Sequence, residues 1–309
     1  MTRSASLSAL IGLTCFAQSP PPIRVNVRLV NVSFSARDTG GRLVTSLDKG
    51  DIEAFDDGVQ ANIAFFAKGG ELPLRLGLIV DASGSQHRFV KQHERDLETF
   101  LASVLRPADR AFLLCFGNHL RLASDFSASP AAIAEGLRRF DHGHGGMPEI
   151  GPPDNRELGT AFYDAIYYAT TEKLASAENG RRALIVLSDG EDNSSAHDLL
   201  DAIETAQREN VVVYAVRYTD SGGGALTARN KYGIRVMQRI ARETGGVDFD
   251  ACQMDLAEAF RRIDEELRSS YEIAYRPPGA GDGTFHKIVV RSTRPGVAIR
   301  TKTGYFAAE

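Results

Sequence analysis

Apolar residues along the chain fall into short unbroken runs rather than long ones. Leu76-Gly77-Leu78-Ile79-Val80, Arg110 to Phe116, Ala183 to Leu187 and Val211 to Val216 are each long enough for one strand. They are too short for a helix that could stand alone. Unbroken runs of this kind suit strands buried on both faces of a parallel sheet. Between them lie patterns of helical period. One carries Val90, Leu97, Phe100, Leu101 and Val104 on one face; others cover Pro130 to Phe140, Gly159 to about Ser176, Leu199 to Arg208, Val236 to Glu243 and Leu256 to Leu267. Pro130 suits a first helical turn, and Gly245-Gly246 suits a helix end. Leu120 to Phe126 is predicted to hairpin back beside its predecessor, and Val247 to Phe249 to form a short edge strand. Asp141 to Glu157 and Tyr218 to Gly233 read as loops. Strand and helix alternate in this way from Glu71 to about Leu267, which predicts a doubly wound α/β unit with a mostly parallel six-stranded sheet over residues 71–268.

Both ends of the chain alternate with period two instead. Arg24 to Val30, Asn31 to Ala36, Leu43 to Leu47, Ile52 to Phe55 and Asn62 to Phe66 read as short strands, with Asp38-Thr39-Gly40-Gly41 and Asp56-Asp57-Gly58 as turns. Lys68-Gly69-Gly70 reads as a linker. After the last helix, Tyr271 to Tyr275, His286 to Arg291, Val297 to Thr301 and Gly304-Tyr305-Phe306 repeat the pattern. Either group alone is too small to bury a core. The expectation is one accessory β-domain, residues 22–70 together with 269–309, into which the α/β unit is inserted.

Arg3 and the apolar stretch Leu7 to Ala17, followed by Gln18-Ser19-Pro20-Pro21-Pro22, resemble a secretory signal peptide over residues 1–17. A lipid anchor on Cys15 is the rival reading, with Gly12-Leu13-Thr14 a poor lipobox. No later segment is apolar enough to cross a bilayer, so the expected location is periplasmic, envelope or extracellular. The 309 residues allow about two domains. Removing Arg3 takes the formal charge from −4 to −5, which argues against nucleic acid or anionic lipid as the main partner. Cys115 and Cys252 then remain.

The candidate chemistry sits where the first apolar run stops. Asp81, Ser83 and Ser85 place oxygen side chains at every second residue, and Gly84 allows the turn to fold tightly. Convergent hard oxygens at the carboxyl end of a buried strand suggest a small hard cation, Mg²⁺ first, with Mn²⁺ or Ca²⁺ as substitutes. Gly159-Thr160 and Ser188-Asp189-Gly190 mark two further strand or helix ends.

Together, Asp81-Ala82-Ser83-Gly84-Ser85, Gly159-Thr160 and Ser188-Asp189-Gly190 resemble the three loops of a von Willebrand factor A domain with its metal-ion-dependent adhesion site. The order, spacing and placement match across roughly residues 73 to 267. The terminal strands, the Leu187-to-Asp192 run and Thr303-Gly304-Tyr305-Phe306 further resemble a secreted bacterial group called VWFA-related. The resemblance implies strand order 3-2-1-4-5-6 and a divalent ion touched by Ser83, Ser85 and Thr160, with Asp81 and Asp189 holding it directly or through water. It also implies a partner Asp or Glu at the open coordination position, and a last helix whose movement tunes affinity. Gln86 departs from the Met common in relatives, without removing a ligand. The implied strand order sets Cys115 and Cys252 four strands apart, about 19 Å at 4.8 Å per strand, beyond disulfide reach.

Other readings compete. Asp81 and Asp189 also suit helix caps. Glu191 and Asp192 suit a second ion or a solvated acidic loop; His142 and His144 suit zinc or a flexible loop; Tyr163, Tyr167 and Tyr168 read as packing residues. Asp81 at a strand end also suits a Mg²⁺-dependent phosphotransferase or phosphatase nucleophile, though that class places a second acid where Ser83 stands. No G-x-S-x-G or G-x-G-x-x-G accompanies it. A structural envelope protein with a stabilising metal is the third class. The expected function is a non-enzymatic, exported binding module.

Overall fold

In the computed structural model, the described residues are 29–83, 87–143, 146–152, 159–177, 180–219, 224–279 and 282–307. The signal-peptide reading, Cys15, Ser85, Gln86 and His144 lie outside them. Strands β5 (Leu74–Asp81), β6 (Arg110–Phe116), β7 (Leu120–Ser127), β8 (Arg181–Ser188), β9 (Val211–Arg217) and β10 (Asp248–Asp250) form one sheet in the order β10-β9-β8-β5-β6-β7. Only β7 runs antiparallel to its neighbour. The strand order implied by the resemblance is therefore present, and β5 is central, as an apolar run buried on both faces requires.

The pleat divides β5 between two cores. Leu76, Leu78 and Val80 point into a cluster with α1 (His87–Val104), α2 (Pro130–Asp141) and α6 (Leu256–Ser269). Ile79 points the other way, towards α3 (Phe162–Tyr168), α4 (Leu199–Arg208) and α5 (Ala228–Thr244). Gly77 is on that second face, where an added methyl group would lie 2.4 Å from Leu184 and 2.5 Å from the Phe112 ring. No helix among the described residues is long and apolar enough to cross a membrane.

Two further four-stranded sheets come from the chain ends. One has the order β13-β1-β11-β4 and the other β14-β12-β2-β3, where β1 is Val30–Arg37, β2 Ile52–Asp56, β3 Val59–Ala61, β4 Ile63–Lys68, β11 Tyr271–Tyr275, β12 Phe285–Ser292, β13 Ala298–Thr301 and β14 Gly304–Phe306. All their pairings are antiparallel. Each sheet takes two strands from each end of the chain, and both feed one core that includes Val32, Phe34, Tyr271, Tyr275 and Val290.

Several local readings need correction. Leu43 to Leu47 is not a strand: Leu43 makes one isolated bridge to Arg37, and Leu47 is buried under Tyr271, whose hydroxyl accepts its N–H. Strand β3 carries no strand signal in the sequence, because its three residues, Val59–Ala61, are too few to show an alternation. Gly69 is no loose linker. Its N–H donates to Ser270 O at 2.6 Å, and a Cβ would meet Ser270 at 2.5 Å, so the junction is packed. The 218–233 loop ends early, because Thr227 caps α5 reciprocally with Asn230. The helix after Thr160 starts at Phe162 and changes to a π-helical turn over Ala169–Leu174.

Candidate metal centre

Asp81 ends β5 and Asp189 follows β8, so two carboxylates leave adjacent strands at the same edge. This edge is where β6 lies to one side of β5 and β8 to the other. Open α/β sheets hold ligands beyond the carboxyl ends of the strands at such a switch point. Both carboxylates are buried, Asp81 at 1% exposure and Asp189 at 5%.

Asp81 is held from its own loop and from the end of β8, and Asp189 from its own loop. Asp81 Oδ2 accepts from the Ser188 hydroxyl at 2.6 Å, and Oδ1 accepts from the Ser83 N–H at 2.9 Å. Asp189 Oδ1 accepts from the Glu191 N–H at 3.1 Å, while the Gly190 N–H donates to Ser188 Oγ at 3.0 Å. Gly190 has φ +77°, a left-handed turn that glycine adopts without strain.

The Thr160 loop is brought alongside by backbone contacts. The Ala161 N–H donates to Gly117 O at 2.9 Å, and the Ala82 N–H donates to Phe116 O at 2.7 Å. The end of β6 therefore ties the first and second loops together. Asn193 clasps Thr160 from the third: its side chain accepts the Thr160 N–H at 2.6 Å, and its N–H donates to Thr160 O at 3.1 Å. Asp81, Ser83, Thr160 and Asp189 thus belong to loops that bond one another; Ser85 lies outside the described residues. Ser188, Gly117 and Asn193 were not in the candidate set. Ser188 carries a visible signal, being the serine of the Ser188-Asp189-Gly190 run, whereas nothing local marks Asn193.

Burial pushes the Asp81 carboxyl up to about 7, opposed by the hydrogen bonds from Ser188 and Ser83 and reinforced by the charge of Asp189. No basic side chain bonds Asp81 among the described residues. Two buried carboxylates with hydroxyl neighbours form a donor set that suits a hard divalent ion. The residues fit such an ion.

The competing acidic and histidine readings resolve differently. Glu191 pairs with Arg229 at 2.6 Å. Asp192 accepts the Phe162 and Tyr163 N–H groups at 2.8 and 3.3 Å, and so caps α3. His142 Nδ1 lies 2.7 Å from Arg138 O, at the end of α2. Tyr163 is buried beside Phe162, and its hydroxyl lies 3.4 Å from that of Tyr232.

The sequence pattern of the von Willebrand factor type A domain matches residues 76–250. This chain belongs to that family. Its A domain is similar in fold to several solved structures. An aerotolerance-related membrane protein from Bacteroides fragilis shares 16% identity over 63% of this chain and 98% of that one, with a TM-score of 0.47. A von Willebrand factor type A protein from Catenulispora acidiphila shares 14% over 93% and 76%, with a TM-score of 0.46. Proximal thread matrix protein 1 of the mussel byssus shares 15% over 69% and 51%, with a TM-score of 0.50. At such identities the likeness is one of fold. A comparison with curated protein sequences finds no significant match.

Proposed function

We propose that this A-domain protein is an exported binding module that captures an Asp or Glu side chain of a protein partner through a divalent cation. Asp81, Ser83, Ser85, Thr160 and Asp189 would hold that cation, with Mg²⁺ favoured over Mn²⁺ or Ca²⁺. The observation that carries the reading is the pair of buried carboxylates, Asp81 and Asp189, leaving adjacent strand ends beside the Thr160 loop. When bound, the ion supplies a positive centre with an open position for an anionic oxygen. The chain's part is to hold its own oxygens still. Ser188 and the Ser83 N–H fix the Asp81 carboxylate, and Asn193 fixes the Thr160 loop.

The phosphotransferase reading is less well supported. That class places a second acid two residues after its nucleophile, and here the residue is Ser83, which offers only a hydroxyl. Export rests on the signal-like segment at residues 1–17.

The test is calorimetry with Mg²⁺, joined to capture from an envelope fraction with Mg²⁺ and with EDTA. One Mg²⁺ site is expected, lost in Asp81→Ala while the domain stays folded. Capture should fail equally in EDTA and in Thr160→Ala. Capture that persists in both would move the interface away from this edge and leave the metal a structural part.

A further inference from the structure

The accessory β-domain carries a second set of converging ligand atoms, on the sheet β14-β12-β2-β3. Asp56 ends β2, Asp57 follows it in the turn to β3, and His286 is in β12, which pairs with β2. One ligand atom from each of the three lies within 4.8 Å of the other two. Asp56 is fully buried. Its Oδ2 accepts from the Tyr275 and Tyr305 hydroxyls at 3.0 and 2.9 Å, which leaves Oδ1 facing His286 Nδ1 at 3.3 Å. Asp57 Oδ1 accepts the Lys287 N–H at 2.9 Å, and its Oδ2 lies 3.1 Å from the same Nδ1. On the other side of the ring, Nε2 lies 3.2 Å from Asp282 Oδ1, itself held by the N–H and hydroxyl of Thr284 at 2.9 and 2.7 Å.

These contacts assign the ring's protons. Asp282 accepts the Nε2 N–H, so Nδ1 turns towards two carboxylate oxygens at once. Either a second proton or a cation must stand between them. A single N–H between them would be shared in a three-centre bond, and the separations of 3.1 and 3.3 Å exceed the roughly 2.7–2.9 Å of a direct charged N–H···O⁻ bond. They match the edge of a tetrahedron of ligands around Zn²⁺, about 3.3 Å for bonds near 2.0 Å. The outer contacts match as well. Metal-bound histidine hands its other N–H to a carboxylate, and metal-bound carboxylates are themselves hydrogen-bonded; Asp282 and the two tyrosines stand in those places.

We propose that Asp56, Asp57 and His286 bind a zinc-class transition-metal ion, with Asp282 orienting the histidine. The site is separate in place and in chemistry from the loops around Asp81, having a nitrogen ligand where that edge offers only oxygen. A metal here would fasten the β2–β3 turn, near the N-terminus, to β12, near the C-terminus, and so stabilise the domain by mass action.

Titration of the full-length chain with Co²⁺ tests this, since tetrahedral Co²⁺ absorbs visible light far more strongly than octahedral Co²⁺. The wild-type chain and Asp81→Ala should show the same tetrahedral spectrum, removed by Zn²⁺, so that failure of the first site leaves this result untouched. His286→Gln should abolish the spectrum. Asp282→Asn should weaken Co²⁺ binding about 10–100-fold. Should His286→Gln fail to fold, Asp57→Asn decides. That residue has φ +48°, a conformation asparagine tolerates, and its amide oxygen can still accept the Lys287 N–H; the tetrahedral spectrum should be lost or greatly weakened. A folded wild-type chain with no tetrahedral spectrum would overturn the proposal. So would a His286 imidazole that NMR shows doubly protonated and unmoved by Zn²⁺.

Discussion

A methyl group on Gly233 would sit 2.3 Å from the carbonyl oxygen of Asp189. Gly233 lies inside α5, where glycine otherwise weakens a helix, so its place there is explained by the close approach of the Asp189 loop. Gly233→Ala should therefore destabilise the protein by about 1–3 kcal/mol in urea unfolding, and should weaken Mg²⁺ binding by shifting Asp189. Gly279→Ala, with nothing within 4 Å, is the control and should do neither. A second residue prediction concerns pH. Burial pushes Lys302 down to about 7 from its ordinary 10.5, against the opposing pull of Glu272 and Glu209. The unfolded chain keeps this proton to about pH 10.5 while the folded chain releases it near 7, so stability rises with pH across that window. Below it both forms are charged and the burial cost is complete. Lys302→Met should flatten the rise between about pH 7 and 9, by at most about 1.4 kcal/mol per pH unit, measured by unfolding at each pH. At this scale the sequence could mark Asp81 and Ser83 as candidate oxygen ligands, because their spacing is local. It could not name Asn193, whose partner Thr160 is 33 positions away.

Elements whose signal is periodic and long came out nearly in register: α4 spans Leu199–Arg208 and β11 spans Tyr271–Tyr275, both as expected. Elements defined by tertiary contact did not. Gly233 read as a loop because its reason for being glycine lies in another element, and Leu43 to Leu47 alternate like a strand yet pair only once. The strand order itself yields a prediction. Cys115 lies in β6 and Cys252 follows β10, with β5, β8 and β9 between those strands, and neither is in a disulfide. Cys115 is buried, which pushes its thiol far above the usual range, whereas Cys252 is exposed. Iodoacetamide should modify Cys252 in the native protein and Cys115 only after unfolding, and peptide mapping without reductant should show no Cys115–Cys252 link. Native labelling of Cys115 at a similar rate would contradict the burial of β6.

At the scale of the molecule, the A domain and the β-domain share a seam of buried polar contacts. Glu266 of α6, 2% exposed, accepts from Arg37 of β1 at 3.0 Å and from Tyr214 of β9 at 3.0 Å, and also pairs with Arg300 of β13. Lys302 donates to Gln207 O of α4 at 2.7 Å. The seam closes a β-domain that neither end of the chain can build alone. Ending the chain after Leu267 would strip β1 of both its neighbours, β11 and β13, and β4 of β11. Only the β2–β3 hairpin would survive, and an isolated hairpin is marginal in water. The core would lose Tyr271, Ile273, Tyr275, Ile288, Val290 and Tyr305. The six strands from β5 to β10, and nearly all of α6, would remain. Limited proteolysis of this truncated chain should cut within residues 29–66 and leave a resistant fragment containing the A domain. That fragment should still bind Mg²⁺, because every proposed ligand lies between Asp81 and Asp189. Protection of residues 29–66 at the level of the full chain would show that the N-terminal strands fold without their C-terminal partners. Loss of the A domain with them would instead make the seam at Glu266 essential to both.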